Sequence, residues 1–428
     1  MKAPDLIGLR PLRYAFAALL LVAVGACALV MNGRSGQAVS APTAVSAPSL
    51  KTEEAASGPE ALLSRTLHEV GNHRLDAAAS EIDKAIRDYP NFRLAHLIKG
   101  DLLLARARPL TTVGNASGAP LDRLEELRAE ARARLARIQQ QRPVDLVPRY
   151  VVQMHGEQRH VLVVDTARST LYVFENRGGE PRYVTDYYVS IGKNGIDKFR
   201  EGDNKTPLGV YHVTGRISRE RLNIDYGRRA EQYGIGALPI SYPNEWDRRE
   251  GRNGHGIWLH GVPFDTYSRP PLASNGCIAL TNEDFTAISR EVQIGLTPVI
   301  IANGVDWVAS GAGAALREEL AQRVESWRRD WENRDTERYL AHYAGNFSTG
   351  KVRLAQWSRQ KRKVNTGKTW IRLDLDKVSI FAYPGRDDLA VVTFDQNYAS
   401  NNLVSQMRKR QYWILEDGVW RILHEGTA

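Results

Sequence analysis

The sequence predicts a multidomain chain with a helical region, then a mostly-β domain, then a smaller α+β domain. Three observations lead to this fold class. The 428 residues are enough for about three domains. Apolar residues recur with a helical period over residues 60–142, but in short strand-like runs from Arg149 onward. From Leu316, one long aromatic helix precedes a series of strand patterns.

Composition and charge restrict the class of protein. Hydrophobic residues make up 43% of the chain and charged residues 25%, which excludes a polytopic membrane protein, a collagen-like chain and a wholly disordered chain. The formal net charge of +9 suits nucleic acid, anionic lipid or an acidic polymer such as a cell wall. Charge alone does not choose among these partners.

The N-terminus predicts the compartment. Tyr14 to Met31 form an uncharged run of 18 residues, preceded by basic residues, which is the short end of a membrane span. We interpret residues 1–31 as a signal-anchor; a cleaved signal peptide, and a lipoprotein modified at Cys27, are the alternatives. All three place the bulk of the chain outside the cytoplasm. Residues 32–59 are rich in Ala, Ser, Pro and Gly, which predicts a flexible linker.

Residues 60–142 are predicted to be helical. A helix that ends before Pro90, followed by a helix from Phe92 to Arg106, resembles tetratricopeptide repeats, although a helical hairpin explains the pattern equally well. The charged run from Leu121 to Gln141 predicts a solvated spacer helix.

Residues 149–303 are predicted to be a mostly-β domain because short apolar runs alternate with Gly and Pro turns. Predicted strands are Val161–Val164, Leu171–Phe174, Tyr187–Ile191, Gly209–Thr214 and Val299–Ile301. The stretch from Arg216 to Asn253 is long for a connection between strands and holds eight arginines and four aromatic residues. It predicts a lid over a substrate groove, with a merely solvated insertion as the alternative.

Residues 316–428 are predicted to be the α+β domain, and residues 304–315 its linker, with a hinge at 304–313. The domain is expected to begin with one helix, Leu316–Tyr343, before a curled antiparallel sheet. The domain is expected to help hold the protein on anionic wall polymer through a cluster of five basic residues, with a solvated face that has no partner as the alternative. The cluster consists of Arg359, Lys361, Arg362, Lys363 and Lys368.

Candidate chemistry centres on Cys277, the one cysteine outside the N-terminal segment. It ends the polar turn Ser274-Asn275-Gly276-Cys277, after which Thr281 or Asn282 can cap a helix. Such a turn is expected to expose the thiol and to aim the N–H groups of Gly276 and Cys277 at an oxyanion. The alternative is a small, buried hydrophobic residue, which is the usual state of a free cysteine.

His260 favours a reactive thiol. It lies where a predicted strand meets Gly261, and its ring could take the thiol proton and lower the thiol pKa from about 8.5 toward neutrality. The Gly261 carbonyl could fix the imidazole tautomer. His255 is a weaker candidate because strand parity places it on the opposite face, and the same parity disfavours a zinc pair.

These motifs together resemble the signature of YkuD-type L,D-transpeptidases. That signature is a His-Gly followed by Ser-His-Gly-Cys, preceded by a Thr-Pro-x-Gly-x-Tyr segment that is similar to Thr206–Tyr211. Residues 149–303 carry the resemblance. Residues 316–428 resemble the nuclear transport factor 2-like (NTF2-like) cone that follows this domain in a proteobacterial subgroup.

The resemblance implies a cysteine acyltransferase of cell-wall biogenesis and cell shape. Cys277 would attack the amide between an L-diamino acid and D-alanine in a peptidoglycan stem, with His260 as base and acid. Gly261 would orient His260, and Gly276 would help to hold the oxyanion. Substrate contacts are assigned to Ser274, Asn275, Tyr242 and Trp258. The family needs no cofactor and no metal. The acceptor would be a second stem or a wall-attached lipoprotein.

Two departures from the signature leave the acceptor open. Asn275 replaces the usual His, and Ala279 stands where Arg or Asn is common, which removes a partner for a substrate carboxylate. A hydrolase acting on the same stems, or a non-catalytic wall-binding module, are therefore alternatives. Nucleic-acid binding is disfavoured because the chain is predicted to be exported and carries no recognisable reading motif. No pattern indicates an oligomeric state.

Overall fold

The structure, a computed structural model, describes residues 58–116, 118–139 and 145–428. They fall into two compact units, one of helical residues up to 139 together with Asp265–Tyr267, the other of 145–264 and 268–428. The predicted membrane segment and almost all of the linker 32–59 lie outside the described residues. Within these residues, the structure contains no helix both long and apolar enough to span a bilayer.

The described part of the first unit contains four helices, in agreement with the predicted helical region. They are α1 (Pro59–Gly71), α2 (Leu75–Asp88), α3 (Arg93–Ala105) and α4 (Leu121–Gln139). Apolar residues spaced along α2 enter a common core with α1 and α3, and Tyr267 packs edge-on against Tyr89. The tetratricopeptide-like character of this unit stays a prediction.

Helix α4 differs from the solvated spacer that was expected. Its Glu130 and Arg134 are buried, and Arg134 Nε donates to Glu130 Oε1 at 2.9 Å. The guanidinium of Arg134 also lies 5.1 Å from the centre of the Phe92 ring. The sequence of α4 predicted exposure because it is rich in charged residues. Inside the unit, however, these charges are compensated by each other rather than by water.

The second unit opens with a mostly-β domain, as predicted. Its first strands are β1 (Leu146–Pro148), β2 (Val151–Gln153), β3 (His160–Asp165), β4 (Thr170–Arg177), β5 (Glu180–Tyr188), β6 (Ile191–Gly192) and β7 (Gly209–His212). With β13 (Pro298–Ala302), the central sheet has the order β5-β4-β3-β13-β7. Alternate residues of β3 enter two different cores, which explains its uninterrupted apolar run.

A second sheet of four strands carries the residues of the predicted site. Its elements are β8 (Ile217–Ser218), α5 (Arg219–Tyr226), a 3₁₀ helix (Gly227–Tyr233), β9 (Gly236–Pro239), α6 (Glu245–Arg249), β10 (Trp258–His260), β11 (Leu272–Ser274), β12 (Ile278–Ala279) and α7 (Asn282–Glu291). The sheet order is β12-β10-β9-β8, while β11 pairs with β6. The stretch predicted as a lid therefore supplies two strands of this sheet as well as the helices beside it.

The C-terminal domain is α+β, as predicted. Its elements are β14 (Trp307–Ala309), α8 (Ala314–Glu332), α9 (Thr336–Ala341), β15 (Ser348–Thr349), β16 (Val352–Arg353), α10 (Leu354–Thr366), β17 (Ile371–Ala382), β18 (Leu389–Ser400), β19 (Leu403–Glu416) and β20 (Val419–Thr427). Strands β17 to β20 form an antiparallel sheet, and α8, α9 and this sheet enclose one aromatic core.

Two details of this domain correct the sequence prediction. The expected helix 316–343 is interrupted at Arg334, whose φ of 61° is left-handed, and Asp335 then caps α9 by accepting from the N–H of Arg338. Helix α10 was not predicted, since its sequence is strongly polar. It begins directly after the short hairpin of β15 and β16.

The β domain and the C-terminal domain share strands. Strand β2 adds to the edge of the C-terminal sheet by pairing with β17, and β1 pairs with β14. The stretch predicted as a hinge thus contains a paired strand. Both domains lie in one compact unit.

Candidate active site

The register of the four-stranded sheet places Cys277 and His260 on one face. Strands β10 and β12 are parallel, with Leu259 opposite Ile278 and His260 opposite Ala279. Cys277 directly precedes β12, and an extended backbone there places its side chain on the face that carries Ala279. Trp258 and His260 share one face of β10, and Trp258 lies in one buried cluster with Cys277. Because neighbouring strands lie about 4.8 Å apart, the register predicts that the Cys277 and His260 side chains are diagonal neighbours.

Cys277 is a free thiol and is buried, with 8% of its surface exposed. Its Sγ donates to the carbonyl of Gly256 at 3.3 Å. Burial raises the thiol pKa to about 11 and outweighs the backbone N–H of Trp258, which lowers it. The expected exposed thiol with a pKa near neutrality is therefore wrong for this arrangement, in which the resting residue is a neutral thiol.

His260 is also buried and neutral. Burial lowers its pKa to about 4, although a hydrogen bond to Gly261 acts in the opposite direction. Its Nδ1 lies 2.6 Å from the Gly261 carbonyl oxygen. Because a carbonyl only accepts, Nδ1 carries the proton in the neutral ring, and Nε2 is left as a base. The predicted contact between His260 and the Gly261 carbonyl is thus present.

An aromatic layer from the predicted lid covers this face. The Tyr233 ring packs edge-on against His260, with centroids 5.2 Å apart, and lies 4.9 Å from Trp258. Tyr226 completes the layer against Trp258 and Tyr233, each at 5.6 Å. These contacts explain the burial of the site and its two opposed pKa shifts.

Side chains of the turn shape the backbone around Cys277. Ser274 Oγ donates to the Cys277 carbonyl at 2.6 Å and accepts from the N–H of Gly276 at 3.1 Å. An oxyanion would therefore compete with Ser274 for the Gly276 N–H, and the predicted oxyanion role stays a prediction. Gly276 has a φ of +116°, and a Cβ there would lie 2.7 Å from the Lys205 carbonyl oxygen, so the turn requires glycine.

Thr206 is a site residue that the sequence analysis did not single out. Its buried Oγ1 donates to the Gly276 carbonyl at 3.0 Å and accepts from the N–H of Gly192 at 2.9 Å. The signal was available, since Thr206 begins the Thr-Pro-x-Gly segment. Its contact crosses 70 residues of sequence, and no local pattern reveals such a contact.

The other candidate residues occupy different environments. Asn275 is exposed at the turn, and Trp258 lies on the face that carries Cys277. Tyr242 is buried in the domain core, where its hydroxyl donates to the Asn253 carbonyl at 2.9 Å. The His255 side chain is 79% exposed and lies outside β10, 3.6 Å from Glu201. The substrate contacts assigned to these residues stay predictions.

The basic cluster predicted in the C-terminal domain is not one continuous exposed surface. The Lys361 ammonium lies 4.3 Å from the Trp357 ring centre. Lys368 is buried and donates to Ser400 Oγ at 2.9 Å. Arg362 pairs with Glu337 at 2.8 Å. Lys368 is therefore unavailable at the surface, whereas Arg359, Arg362 and Lys363 are exposed, and binding of this cluster to wall polymer stays a prediction.

Removing the Tyr233 ring tests the cause of the raised thiol pKa. We expect Tyr233→Ala to admit water to Cys277, lower the thiol pKa and raise its alkylation rate at pH 7.5 by at least about tenfold. The measurement is mass analysis of the Cys277 peptide after timed iodoacetamide treatment. Tyr226→Ala is the comparison variant: its ring packs on Trp258 and Tyr233, whereas Tyr233 packs on His260 itself, so we expect a smaller increase in rate. Equal rates in wild type and Tyr233→Ala would contradict the aromatic cover.

Two family models match segments of the chain. Residues 159–301 match the YkuD model, described as the L,D-transpeptidase catalytic domain. Residues 319–426 match the model of the Cds6 C-terminal NTF2-like domain. The resemblance drawn from the motifs is confirmed over both segments.

Individual relatives are similar over part of the chain. YafK of Escherichia coli (strain K12), named provisionally as an L,D-transpeptidase, is 28% identical over 144 residues, 33% of this chain and 50% of YafK. The chain thus spans about half the length of the curated relatives it matches. Bd1075 of Bdellovibrio bacteriovorus is similar in structure, with a TM-score of 0.56, 29% identity, and coverage of 66% of this chain and 98% of that one.

A second solved structure supports the fold alone. The helical cell shape determining protein Pgp2 of Campylobacter jejuni has a TM-score of 0.54 and 24% identity, and the match covers 65% of this chain and 95% of Pgp2.

Proposed function

We propose that this chain is a cysteine acyltransferase acting on peptidoglycan stems. Its residues 159–301 match the L,D-transpeptidase catalytic domain, and its residues 319–426 match an NTF2-like domain. The observation that supports it most is the shared face of Cys277 and His260, with His260 Nδ1 bonded to the Gly261 carbonyl. That arrangement pairs a nucleophile with a base whose tautomer is already fixed.

The neutral pair determines how the first half-reaction starts. Because both groups are uncharged at rest, the thiol proton passes to His260 Nε2 as Sγ attacks the carbonyl carbon of the diamino acid. The hydrogen bond from Sγ to the Gly256 carbonyl breaks as Sγ attacks. Imidazolium then protonates the departing nitrogen, D-alanine leaves, and the acyl group remains on Cys277 as a thioester.

The second half-reaction reverses the proton path. An acceptor amine attacks the thioester carbonyl, His260 Nε2 takes the amine proton, and the Cys277 thiolate recovers it as it leaves. The new amide joins the stem to a second stem or to a wall-attached lipoprotein. Tyr233 excludes bulk water from His260 at rest, which suits transfer to an amine over hydrolysis.

Hydrolysis is the second candidate, and Ala279 favours it. Ala279 lies opposite His260 in the register and offers no side-chain donor for an acceptor carboxylate. If water replaces the amine, the same thioester is hydrolysed and the enzyme trims or releases stems, as an L,D-carboxypeptidase or an amidase that frees wall-bound protein.

We place the enzyme in the periplasm, tethered to the inner membrane by its N-terminal segment. Stem peptides are accessible there, and this setting matches the exported arrangement that the uncharged run Tyr14–Met31 indicates. The C-terminal domain would contribute contacts to the wall rather than chemistry.

Incubation with tetrapeptide-rich sacculi tests the proposal. Mass analysis of the released muropeptides should show dimers that have lost one D-alanine if the protein transfers the stem to an amine. Tripeptide monomers in their place would indicate the hydrolase. Unchanged muropeptides from a folded protein would refute both and favour the non-catalytic wall-binding module.

A further inference from the structure

Asn282 connects two chain segments that flank the site. It follows Thr281, the N-cap of α7, and is the first residue of that helix. Its Oδ1 accepts from the N–H of Val262 at 3.2 Å and from the N–H of Ile235 at 3.3 Å. Its Nδ2 donates to the Val262 carbonyl at 3.0 Å. One amide thus satisfies three backbone groups.

The two segments approach Asn282 as closely as glycine allows. A Cβ on Gly234 or on Gly261 would overlap Asn282 Oδ1, and Gly234 also adopts a left-handed φ of +59°. Any side chain at these two positions would force the segments away from the amide. Both glycines adjoin residues of the site, Tyr233 and His260.

Each segment makes one of the contacts that fix the His260 ring. The Gly261 carbonyl, which belongs to the same peptide unit as the Val262 N–H, accepts from His260 Nδ1 at 2.6 Å. Tyr233, two residues before Ile235, packs edge-on against the same ring, with an angle of 88° between the ring planes. Both the tautomer and the orientation of His260 therefore depend on backbone that Asn282 holds.

We propose that Asn282 is a positioning residue for His260. Its amide holds the Gly261–Val262 peptide so that the carbonyl meets Nδ1, and it fixes the Tyr233 segment over the ring. The inference rests on the proposed function, because Asn282 would act by positioning His260, the base of the proposed reaction. Asn282 itself touches neither the thiol nor the imidazole among the described contacts.

The test uses two variants of the full chain. Asn282→Asp keeps the shape and the Oδ1 acceptor but cannot donate to the Val262 carbonyl. Asn282→Ser removes most of the amide and remains available if the Asp variant fails to fold. We expect kcat to fall about 10- to 100-fold with a smaller change in KM, because a misplaced base slows chemistry more than binding.

A second readout detects His260 directly. Nitrogen-15 spectra of histidine-labelled protein report the tautomer of each of the ten histidines, and His260→Gln assigns the signal. We expect the Asn282 variants to shift the His260 signal from the Nδ1-protonated tautomer toward a mixture. This readout needs no substrate, so it remains informative if the wild type proves inactive and the proposed function fails.

Asn176 provides the matched control. It also makes three backbone hydrogen bonds, accepting from Gly179 at 2.7 Å and donating to His155 at 2.9 Å and Gln158 at 2.8 Å. Asn176→Asp should lower stability and leave the His260 signal unchanged. If the Asn282 variants behave in the same way, losing stability while keeping the tautomer and kcat, Asn282 is merely structural and the proposal is overturned.

Discussion

The Cys277→Ala protein is expected to lose at least about 10⁴-fold in turnover of peptidoglycan stems while remaining folded. The loss follows because alanine cannot form the thioester, and removal of a nucleophile eliminates the covalent route entirely. The fold should tolerate the change because only one small buried side chain is truncated, at a cost of about 1 kcal/mol. Muropeptide mass analysis and thermal unfolding measure the two expectations.

Two further variants test whether the loss of turnover reflects the missing thiol and its base. Cys277→Ser keeps the size and a hydroxyl but lacks a good nucleophile, so it should be nearly as inactive. His260→Gln should also be severely impaired, because glutamine cannot shuttle the proton. Retention of muropeptide turnover by Cys277→Ala would exclude the thioester mechanism, whether the acceptor is an amine or water.

Sequence reasoning singled out the two proposed reacting groups but not their environment. Cys277 and His260 were chosen because a glycine-bordered cysteine turn and a strand-end histidine occur in a recognisable order. The burial of Cys277 was given only as the alternative, because it depends on Tyr233, a residue 44 positions earlier in the numbering. The long-range contacts of Asn282 were missed: as a capping candidate it was read locally, whereas its side chain bonds to residues 20 and 47 positions away.

The same division applies to the fold. The apolar runs of β3 and β4 predicted strands because each is a local pattern in an extended segment. No local pattern indicated that β2 pairs with β17, more than 200 residues later. The break at Arg334 was equally hidden, since the apolar period continues across it and only the backbone conformation reveals it.

The boundary between the β domain and the C-terminal domain is packed like a core. Trp246 of α6 stacks on Tyr412 of β19 at 6.2 Å and lies 5.9 Å from the ring of Tyr383. Glu245, the neighbouring residue, accepts from Arg410 at 3.0 Å and from the Tyr412 hydroxyl at 3.1 Å. We infer that the C-terminal domain stabilises the catalytic domain and that the two unfold together.

Glu245→Ala is therefore expected to destabilise both domains by about 3–5 kcal/mol, because it leaves the charge of Arg410 buried without its partner. The side chains of Arg410 and Glu245 are only 12% and 19% exposed. Urea unfolding followed by tryptophan fluorescence measures the loss. It should occur in one transition, since α6 contacts both domains.

Acid should reproduce part of this loss in the wild type. Burial opposes the ionisation of Glu245, but the charge and hydrogen bonds of Arg410 hold its pKa below the usual value. A depressed carboxyl pKa stabilises the fold above the ordinary pKa of about 4.3, and that stabilisation disappears as the pH falls through the folded value. Glu245→Gln should lack this component of the acid dependence.

The exposed pair of Arg221 and Asp225 supplies the control for the Glu245 variants. These side chains are 66% and 32% exposed, so Asp225→Asn should change stability by no more than about 0.5 kcal/mol. If Glu245→Ala costs as little as Asp225→Asn, or if its unfolding separates into two transitions, the C-terminal domain is an independent attachment. In that case the sequence of the C-terminal domain could vary without affecting Cys277. The domain would then contribute by binding a partner and not by stabilising the candidate active site.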